Sequence, residues 1–295
     1  MDLFLQQAVN GLVVGSGYAI FAVGFGLLFT TLGVLNIAHG MYAAIGALGA
    51  WWVMSATGLP FWAALAGGVV VGGLLGVVID RLAFEPLRRR RAGTLGTLIT
   101  SIGAWMALGS IAENIAGFQV QRFPSEAVPT TFFDIGPIQI SGLQIVQIAA
   151  ALIVGFGMHV YLRRTKSGLA IRAVGFDQIA AALGGVNPRR VIVVVAVISA
   201  AVAALAGILI GANTSNVSRA LGDGLLFKGF AAVVIGGMGD LRGAMVAGLA
   251  IGVGEVMVSQ YISTDFRDAI TFGLLLLLLV LRPQGIFAEA KTSRA

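Results

Sequence analysis

A polar pentapeptide, Asn36-Ile37-Ala38-His39-Gly40, lies within a stretch of 77 residues, Leu3 to Ile79, that contains no lysine, arginine, aspartate or glutamate. The hydrocarbon core of a bilayer is roughly 30 Å thick and needs about 20 helical residues per crossing, so the stretch predicts about three spans. An unsatisfied polar group at that depth costs several kcal/mol. Asn36 and His39 are therefore candidates for lining a solute pathway; the alternatives are that His39 bonds to a broken backbone and that Asn36 caps the next helix.

Other polar side chains occupy otherwise apolar segments, and four of them complete the candidate pathway set: Ser16, Tyr18, Ser101 and Lys228. Hydroxyl groups at membrane depth most often bond one helix to another, whereas ionisable groups there are functional by default. An ion-coupled secondary transporter or channel would need such groups, and Glu113 and Glu255 could join Lys228 in that role. The alternative for these three is snorkelling or pairing inside the helix bundle.

Catalysis within the membrane would require a nucleophile with a base, or a set of metal ligands. The chain has no cysteine, and its two histidines, His39 and His159, are far apart in sequence with no acidic ligand spacing near either. No Gly-x-x-x-x-Gly-Lys-Ser/Thr loop is present to cradle ATP phosphates. We expect no enzyme activity, no metal and no bound cofactor, and any ATP drive must come from another polypeptide.

The composition, 58% hydrophobic and 11% charged, predicts an integral membrane protein, because a soluble domain could not hide so much apolar surface. Unbroken apolar runs favour an all-α bundle of about eight to nine transmembrane segments over a barrel, in one domain spanning 1–295. The predicted helices are 8–32, 41–57, 60–79, 96–117, 143–162, 190–212, 243–262 and 267–281, with a short segment at 224–238.

The net charge of +6 comes from basic clusters at segment ends, which argues against nucleic-acid binding. By the positive-inside rule these clusters are cytoplasmic, so the N-terminus lies outside the membrane and the C-terminus inside it. The run Arg88 to Arg91 could instead bind anionic lipid. No basic residue precedes Arg81, which argues against a cleaved signal peptide. The clusters are Arg81 with Arg88 to Arg91, the stretch 163–190, and Arg282 with Lys291 and Arg294.

Glycine marks both helix packing and helix breaks. Small-xxx-small pairs such as Gly11/Gly15 and Gly248/Gly252 predict close backbone contact between membrane helices. The segment 224–238 is too short for a comfortable crossing and ends in Gly236-Gly237-Met238-Gly239. We expect it to be a broken or re-entrant helix, with the stretch 35–40 as its counterpart in the first half.

The basic stretch 163–190 is too long for a bare turn and predicts a short helix along the cytoplasmic side. Asp177 can cap it, Gln178 to Leu183 form its body, and Gly184 and Gly185 end it with positive φ angles. Asn187 and Pro188 then begin the next span. An exposed apolar helix of this kind needs a partner; resting on lipid headgroups is the alternative.

These motifs, together with Phe227-Lys228-Gly229-Phe230, resemble the branched-chain amino acid ABC transporter permease family, most closely its H-type permease, over nearly the whole chain. The resemblance implies a homologous second permease, two ATP-binding subunits and a periplasmic solute-binding protein. It also implies that the helix after Asp177 couples to an ATPase, although Asp177-Gln178-Ile179 departs from the Glu-Ala-Ala pattern of other importers. The coupling residues implied are Asp177, Gln178, Ile179, Ala182, Leu183 and Gly184.

Overall fold

The computed structural model describes residues 2–90, 92–117, 119–124, 128–129, 131–282 and 285–287. Arg91, Lys291 and Arg294 of the predicted basic clusters lie outside these residues. The helices are α1 (Asp2–Leu32), α2 (His39–Thr57), α3 (Phe61–Ile79), α4 (Glu85–Arg89), α5 (Thr94–Ala116), α6 (Gly142–Arg164), α7 (Lys166–Phe176), α8 (Gln178–Leu183), α9 (Pro188–Thr214), α10 (Arg219–Gly236), α11 (Leu241–Tyr261) and α12 (Arg267–Leu281). A π-helical turn (Asp80–Phe84) joins α3 to α4, and a 3-10 turn (Thr264–Phe266) precedes α12.

Within the described residues, six helices are long and apolar enough to cross a membrane: α1, α3 with its extension to Arg89, α5, α6, α9 and α11. Three more helices pack beside them but are less suited to a crossing. The helix α10 carries three charged residues, α2 is interrupted by polar and aromatic side chains, and α12 has 15 residues. The predicted helical membrane bundle is confirmed, whereas six helices, rather than eight or nine, meet this length and composition criterion.

Glycines set the closest helix contacts. Gly15 of α1 and Gly252 of α11 meet so closely that a Cβ atom on either one would collide with the backbone of the other helix. Gly207 of α9 likewise faces the backbone of Ala43 in α2. The predicted use of small residues at helix interfaces is confirmed at these positions.

The helical structure is interrupted between α1 and α2, at the polar pentapeptide. Gly33 ends α1 with a φ of +67°, and residues 33–38 have no regular helix before α2 begins at His39. The His39 ring packs between Phe21 and Phe25, which are two to three turns before the end of α1. The start of α2 therefore lies well inside the bundle rather than at its surface.

The predicted short segment 224–238 is wrong in length. The helix α10 begins at Arg219 and has 18 residues, or about 27 Å, close to the thickness of a bilayer core. The helix takes in Arg219 and Asp223, which lie before the predicted segment, and both are paired: Arg219 with Glu113 of α5, and Asp223 with Trp105 of α5. The predicted glycine turn does follow α10, with positive φ at Gly237 and Gly239.

The structure adds one β-hairpin to the predicted all-α bundle. Strand β1 (Phe132–Ile135) pairs antiparallel with β2 (Ile138–Ser141), and Gly136 supplies the positive φ of the turn. The hairpin leads directly into α6, where Ser141 and Gln144 form a reciprocal capping box. It lies at the end of the bundle opposite Arg81, Arg88 and Arg163; we call the end that carries these three arginines the basic face.

The helices α7 and α8 lie at the basic face between α6 and α9. Asp177 caps α8 as predicted, since its Oδ1 accepts from the N–H groups of Ile179 and Ala180 at 2.7 and 3.0 Å. Asn187 caps α9 in the same way, with Pro188 in the first turn. The prediction for Gly184 is wrong: its φ is −75°, and Gly185 alone, at +84°, takes the left-handed conformation.

Candidate functional site

His39 lies in an aromatic cage. Its imidazole is fully buried, and the ring centroids of Phe21, Phe25 and Tyr42 lie 5.1, 5.4 and 5.4 Å away in edge-to-face geometry. Neither ring nitrogen has a hydrogen-bond partner among the described residues. A buried polar side chain without a partner is costly, so it needs an explanation beyond packing.

Asn36 and Ser101 hold the broken segment in place. The Asn36 Oδ1 accepts from the N–H of Ala38 at 3.1 Å, and its Nδ2 donates to the Tyr42 hydroxyl at 3.4 Å. Ser101 of α5 accepts from the N–H of Ile37 at 3.3 Å and donates to the carbonyl of Leu98. These two predicted pathway residues therefore both lie beside the His39 cage, where each accepts a hydrogen bond from a backbone N–H group of the interrupted segment.

Two cavities meet at this break. An inner cavity of about 370 Å³ opens toward the basic face and contacts Leu28 on α1 and Thr97 on α5. An outer cavity of about 360 Å³ contacts Phe25 on α1 and Ile102 on α5, farther from the basic face on both helices. Both cavities are lined by Leu35 and Asn36. The irregular segment is therefore the partition between them.

The His39 cage is built into the walls of both cavities. Phe25 lines the outer cavity, and Tyr42 lines the inner one. The imidazole is thus separated from each cavity by a single aromatic ring. A rotation of either ring would expose a polar group to the space on that side.

Tyr18 and Lys228 belong to a different site, an ionic cluster built around Glu255 of α11. The Glu255 side chain is fully buried and accepts from Lys228 Nζ at 3.0 Å, Arg267 Nε at 2.9 Å and the Tyr18 hydroxyl at 2.8 Å. Thr271 of α12 donates to the Oε1 atom of Glu255 at 2.8 Å. Four helices, α1, α10, α11 and α12, are joined at one carboxylate. We call these five residues the Glu255 cluster.

Ser16, the last predicted pathway residue, faces neither cavity. It is fully buried and its hydroxyl donates to the carbonyl of Val13 in the same helix, at 2.6 Å. The six predicted pathway residues therefore divide into three at the break (Asn36, His39, Ser101), two in the Glu255 cluster (Tyr18, Lys228) and one within α1 (Ser16).

The inner cavity reaches the predicted coupling helix. Gln178, the first residue of α8, lines it together with Asn36. The buried Asp80 also lines it, and Arg88 holds that carboxylate with two hydrogen bonds of 2.8 and 2.9 Å. A movement of α8 would therefore change the shape of the inner cavity, which the segment 33–38 closes on one side.

The apolar side chains of α8 are unusually exposed. Ile179 and Leu183 are 76% and 86% exposed, Ala182 is exposed, and Phe176 at the end of α7 is 94% exposed. Ala181 points the other way and is buried against α7 and α9. The outward face of α8 is therefore an exposed apolar surface, and its burial against a partner would be stabilising.

Sequence reasoning missed several partners in these sites. Arg267 and Thr271 complete the Glu255 cluster; both lie within the predicted helix 267–281, but neither was identified as a partner of Glu255. The pairing of Asp80 with Arg88 was missed because Asp80 lies next to a basic cluster that was interpreted as a membrane anchor. The i, i+4 spacing of Arg219 and Asp223 within an apolar segment was the available signal for α10. Among the described residues, no group of three His, Cys, Asp or Glu could hold a metal ion.

Comparison with known proteins shows a full-length relationship. Residues 7–279 match the family described as branched-chain amino acid transport system, permease component. The chain is 33% identical to the high-affinity branched-chain amino acid transport permease BraD of Pseudomonas aeruginosa, covering 99% of this chain and 98% of the relative. It is 32% identical to the permease LivH of Escherichia coli K12, covering 99% and 97%.

A solved structure has a similar fold. PsaBC from Streptococcus pneumoniae, in complex with a Fab, superposes with a TM-score of 0.53 over 95% of this chain and 92% of that one. The sequence identity is 14%, so the likeness concerns the fold alone.

Proposed function

The chain belongs to the branched-chain amino acid transport system permease family, and we propose that it forms half of the translocation path of an ATP-driven importer. The solute we propose is a branched-chain amino acid or a related small polar or organic solute. As a permease component the chain is a transport subunit, not an enzyme. The observation that carries the proposal is the pair of cavities that meet at a broken helix, in a chain that matches the family along its length.

The partners we propose follow from this role. A homologous second permease would complete the path as a heterodimer, two ATP-binding subunits would supply the drive, and a periplasmic binding protein would deliver the solute. ATP would bind to the partner subunits, since this chain has no phosphate-binding loop. The clustering of arginines at one face supports a multi-pass orientation in a bacterial inner membrane, with the N-terminus outside and the C-terminus in the cytoplasm.

In this function the broken segment 33–38 is the gate. The outer cavity receives solute, the inner cavity releases it, and Leu35 and Asn36 separate them. Because Gln178 of α8 lines the inner cavity, docking of an ATPase on α8 would act on the gate over a short distance. His39 supplies an unpaired donor or acceptor one ring away from the passing solute.

Reconstitution into liposomes tests this function. The complete complex, with binding protein and ATP, is expected to accumulate leucine. This chain alone is expected to bind no nucleotide and to catalyse no exchange driven by an ion gradient. Gradient-driven uptake by the chain alone would overturn the proposal and would favour an ion-coupled transporter that uses Glu113, Lys228 and Glu255.

A further inference from the structure

Asp268, in the first turn of α12, has an exposed carboxylate at half the depth of the bundle. Its Oδ1 lies 3.3 Å from Lys228 Nζ, which donates to the Tyr18 hydroxyl at 3.1 Å. Tyr18 lies near the middle of the 31-residue helix α1, with about 24 Å of helix on one side and about 21 Å on the other. A bilayer core is roughly 30 Å thick, so this depth lies inside the core wherever along its length α1 crosses the membrane.

Lipid does not suit this position. The Asp268 side chain is 69% exposed and accepts no hydrogen bond within the part of the chain that the structure describes. Ionisable side chains at membrane depth face a neighbouring helix or a water-filled space rather than hydrocarbon. By contrast, α3 contains no charged residue and α6 carries arginines only in its last turn. The exposed side chains of these two helices, such as Leu74 and Phe156, suit lipid.

The surface around Asp268 has the composition of a protein contact. Phe227 of α10 and Phe272 of α12 are 55% and 38% exposed, and their rings pack edge-to-face with centroids 6.2 Å apart. Ala220 and Gly224 lie on the same side of α10 as Phe227, and a Cβ atom added to Gly224 would meet no described atom within 4 Å. Aromatic rings are enriched at protein interfaces, and small residues four apart allow a membrane helix of another chain to approach closely.

We propose that this surface, which comprises Ala220, Gly224, Phe227, Asp268 and Phe272 and which we call the α10–α12 surface, is the contact surface for the second permease. Asp268 accepts from a donor of that chain, and one of its helices lies against Ala220 and Gly224. A water-filled space would suit the carboxylate but would leave both aromatic rings in water. The inference rests on the proposed function and adds to it the place where the two permeases meet. Phe227 also lines the outer cavity, so the second chain would supply a further wall of that cavity.

The first test adds bulk to the surface. This chain tolerates Gly224→Leu, because the position is exposed and the added Cβ meets no described atom within 4 Å, but the side chain would collide with a helix packed on α10. In the co-expressed complete complex, purified through a tag on this chain, we expect recovery of the second permease to fall about tenfold or more, the effect of overpacking a close contact. Gly157→Leu, at an exposed glycine of α6 with equally open surroundings, is the matched control and leaves recovery unchanged. Normal recovery with Gly224→Leu overturns the surface.

The second test removes the charge, and its expected direction differs between a protein contact and lipid. Asp268→Leu leaves Lys228 paired with Glu255, so the buried ion pair of this chain is retained. Because the donor of the second permease would then face an apolar side chain, we expect its recovery to fall several-fold. Asp134→Leu, on the exposed hairpin strand, removes the same charge elsewhere and leaves recovery unchanged. Recovery at or above the wild-type value with Asp268→Leu means that the carboxylate faces lipid or water and overturns the inference.

The wild-type complex separates a failure of the proposed function from a failure of the surface. A wild-type chain from which no second permease is recovered overturns both. A wild-type chain that recovers the second permease, with Gly224→Leu and Asp268→Leu indistinguishable from it, overturns the α10–α12 surface alone.

Discussion

The Glu255 cluster and the His39 cage are two buried polar sites along the same helix, α1. They differ in whether the buried polar atoms have hydrogen-bond partners. Glu255 receives hydrogen bonds or ion pairs from Tyr18, Lys228, Arg267 and Thr271. His39 receives none from the described residues and is surrounded by aromatic rings. Both side chains are essentially inaccessible to solvent, so exposure does not account for the difference.

The difference indicates different roles. A charge network in which every member is paired resists rearrangement, because any movement leaves a charge alone in a low-dielectric interior. The cluster therefore suits a fixed joint between α1, α10, α11 and α12. An unpaired imidazole loses no hydrogen bond when its cage opens, and its cage walls face two cavities. The moving part of the bundle is expected at His39.

The largest effect is expected from breaking the fixed joint. Glu255→Gln removes the buried counter-charge of Arg267 and one of the two carboxylates paired with Lys228, the other being Asp268 at 3.3 Å. Breaking a buried ion pair costs about 3 to 5 kcal/mol. We expect a strongly lowered thermal stability of the detergent-solubilised protein, measured by size-exclusion after heating. Asp265→Asn, in the exposed turn before α12, is the control. Equal stability of the two variants would show that the cluster is not a structural joint.

The same comparison predicts the opposite pattern at His39. His39→Leu keeps an apolar contact with the aromatic cage and removes no hydrogen bond, so stability and ATPase activity of the assembled complex are retained. Uptake is expected to be abolished, because the polar group at the gate is lost. His159→Leu, at the other histidine, is the control for uptake. Normal uptake with His39→Leu would assign the residue to packing alone.

A third variant tests how the gate is driven. Ala182→Glu places a charge in the exposed apolar face of α8, where a partner would bury side chains worth roughly 1.5 to 3 kcal/mol for each large one. We expect loss of ATPase co-purification, or hydrolysis uncoupled from transport. Arg189→Glu, exposed at the start of α9, changes little. Assembly and transport that both survive Ala182→Glu would place α8 on lipid or solvent instead.

Local rules predicted the parts of the fold that depend on neighbouring residues. The cap at Asp177, the start of α9 at Asn187 and Pro188, an interruption close to the predicted stretch 35–40 and the use of Gly15 and Gly252 at helix contacts follow from patterns a few residues long. Sequence periodicity and spacing carried that information directly.

Tertiary pairing explains most of what the sequence could not predict. Arg219 and Asp223 lie within α10 because Glu113 and Trp105, more than 100 positions earlier, satisfy them. Arg267, at the start of the next helix, pairs with Glu255, and no local sequence pattern predicts that contact. The division of the six candidate pathway residues among the break, the Glu255 cluster and the interior of α1 likewise depends on which helices are in contact.

The smallest predicted effect concerns the hinge that precedes the cage. Gly33 has a φ of +67°, and a Cβ atom added there would meet nothing within 4 Å, so the cost of Gly33→Ala is purely that of the left-handed backbone, about 1 to 2 kcal/mol. Gly103→Ala, within the exposed surface of α5, also meets nothing within 4 Å but has helical geometry, and alanine there gains about 0.5 to 1 kcal/mol. The two substitutions therefore shift thermal stability in opposite directions, and Gly33→Asn falls between Gly33→Ala and the wild type because asparagine tolerates this conformation. A destabilisation shared by both alanine variants would show that the hinge is set by side-chain packing rather than by its backbone.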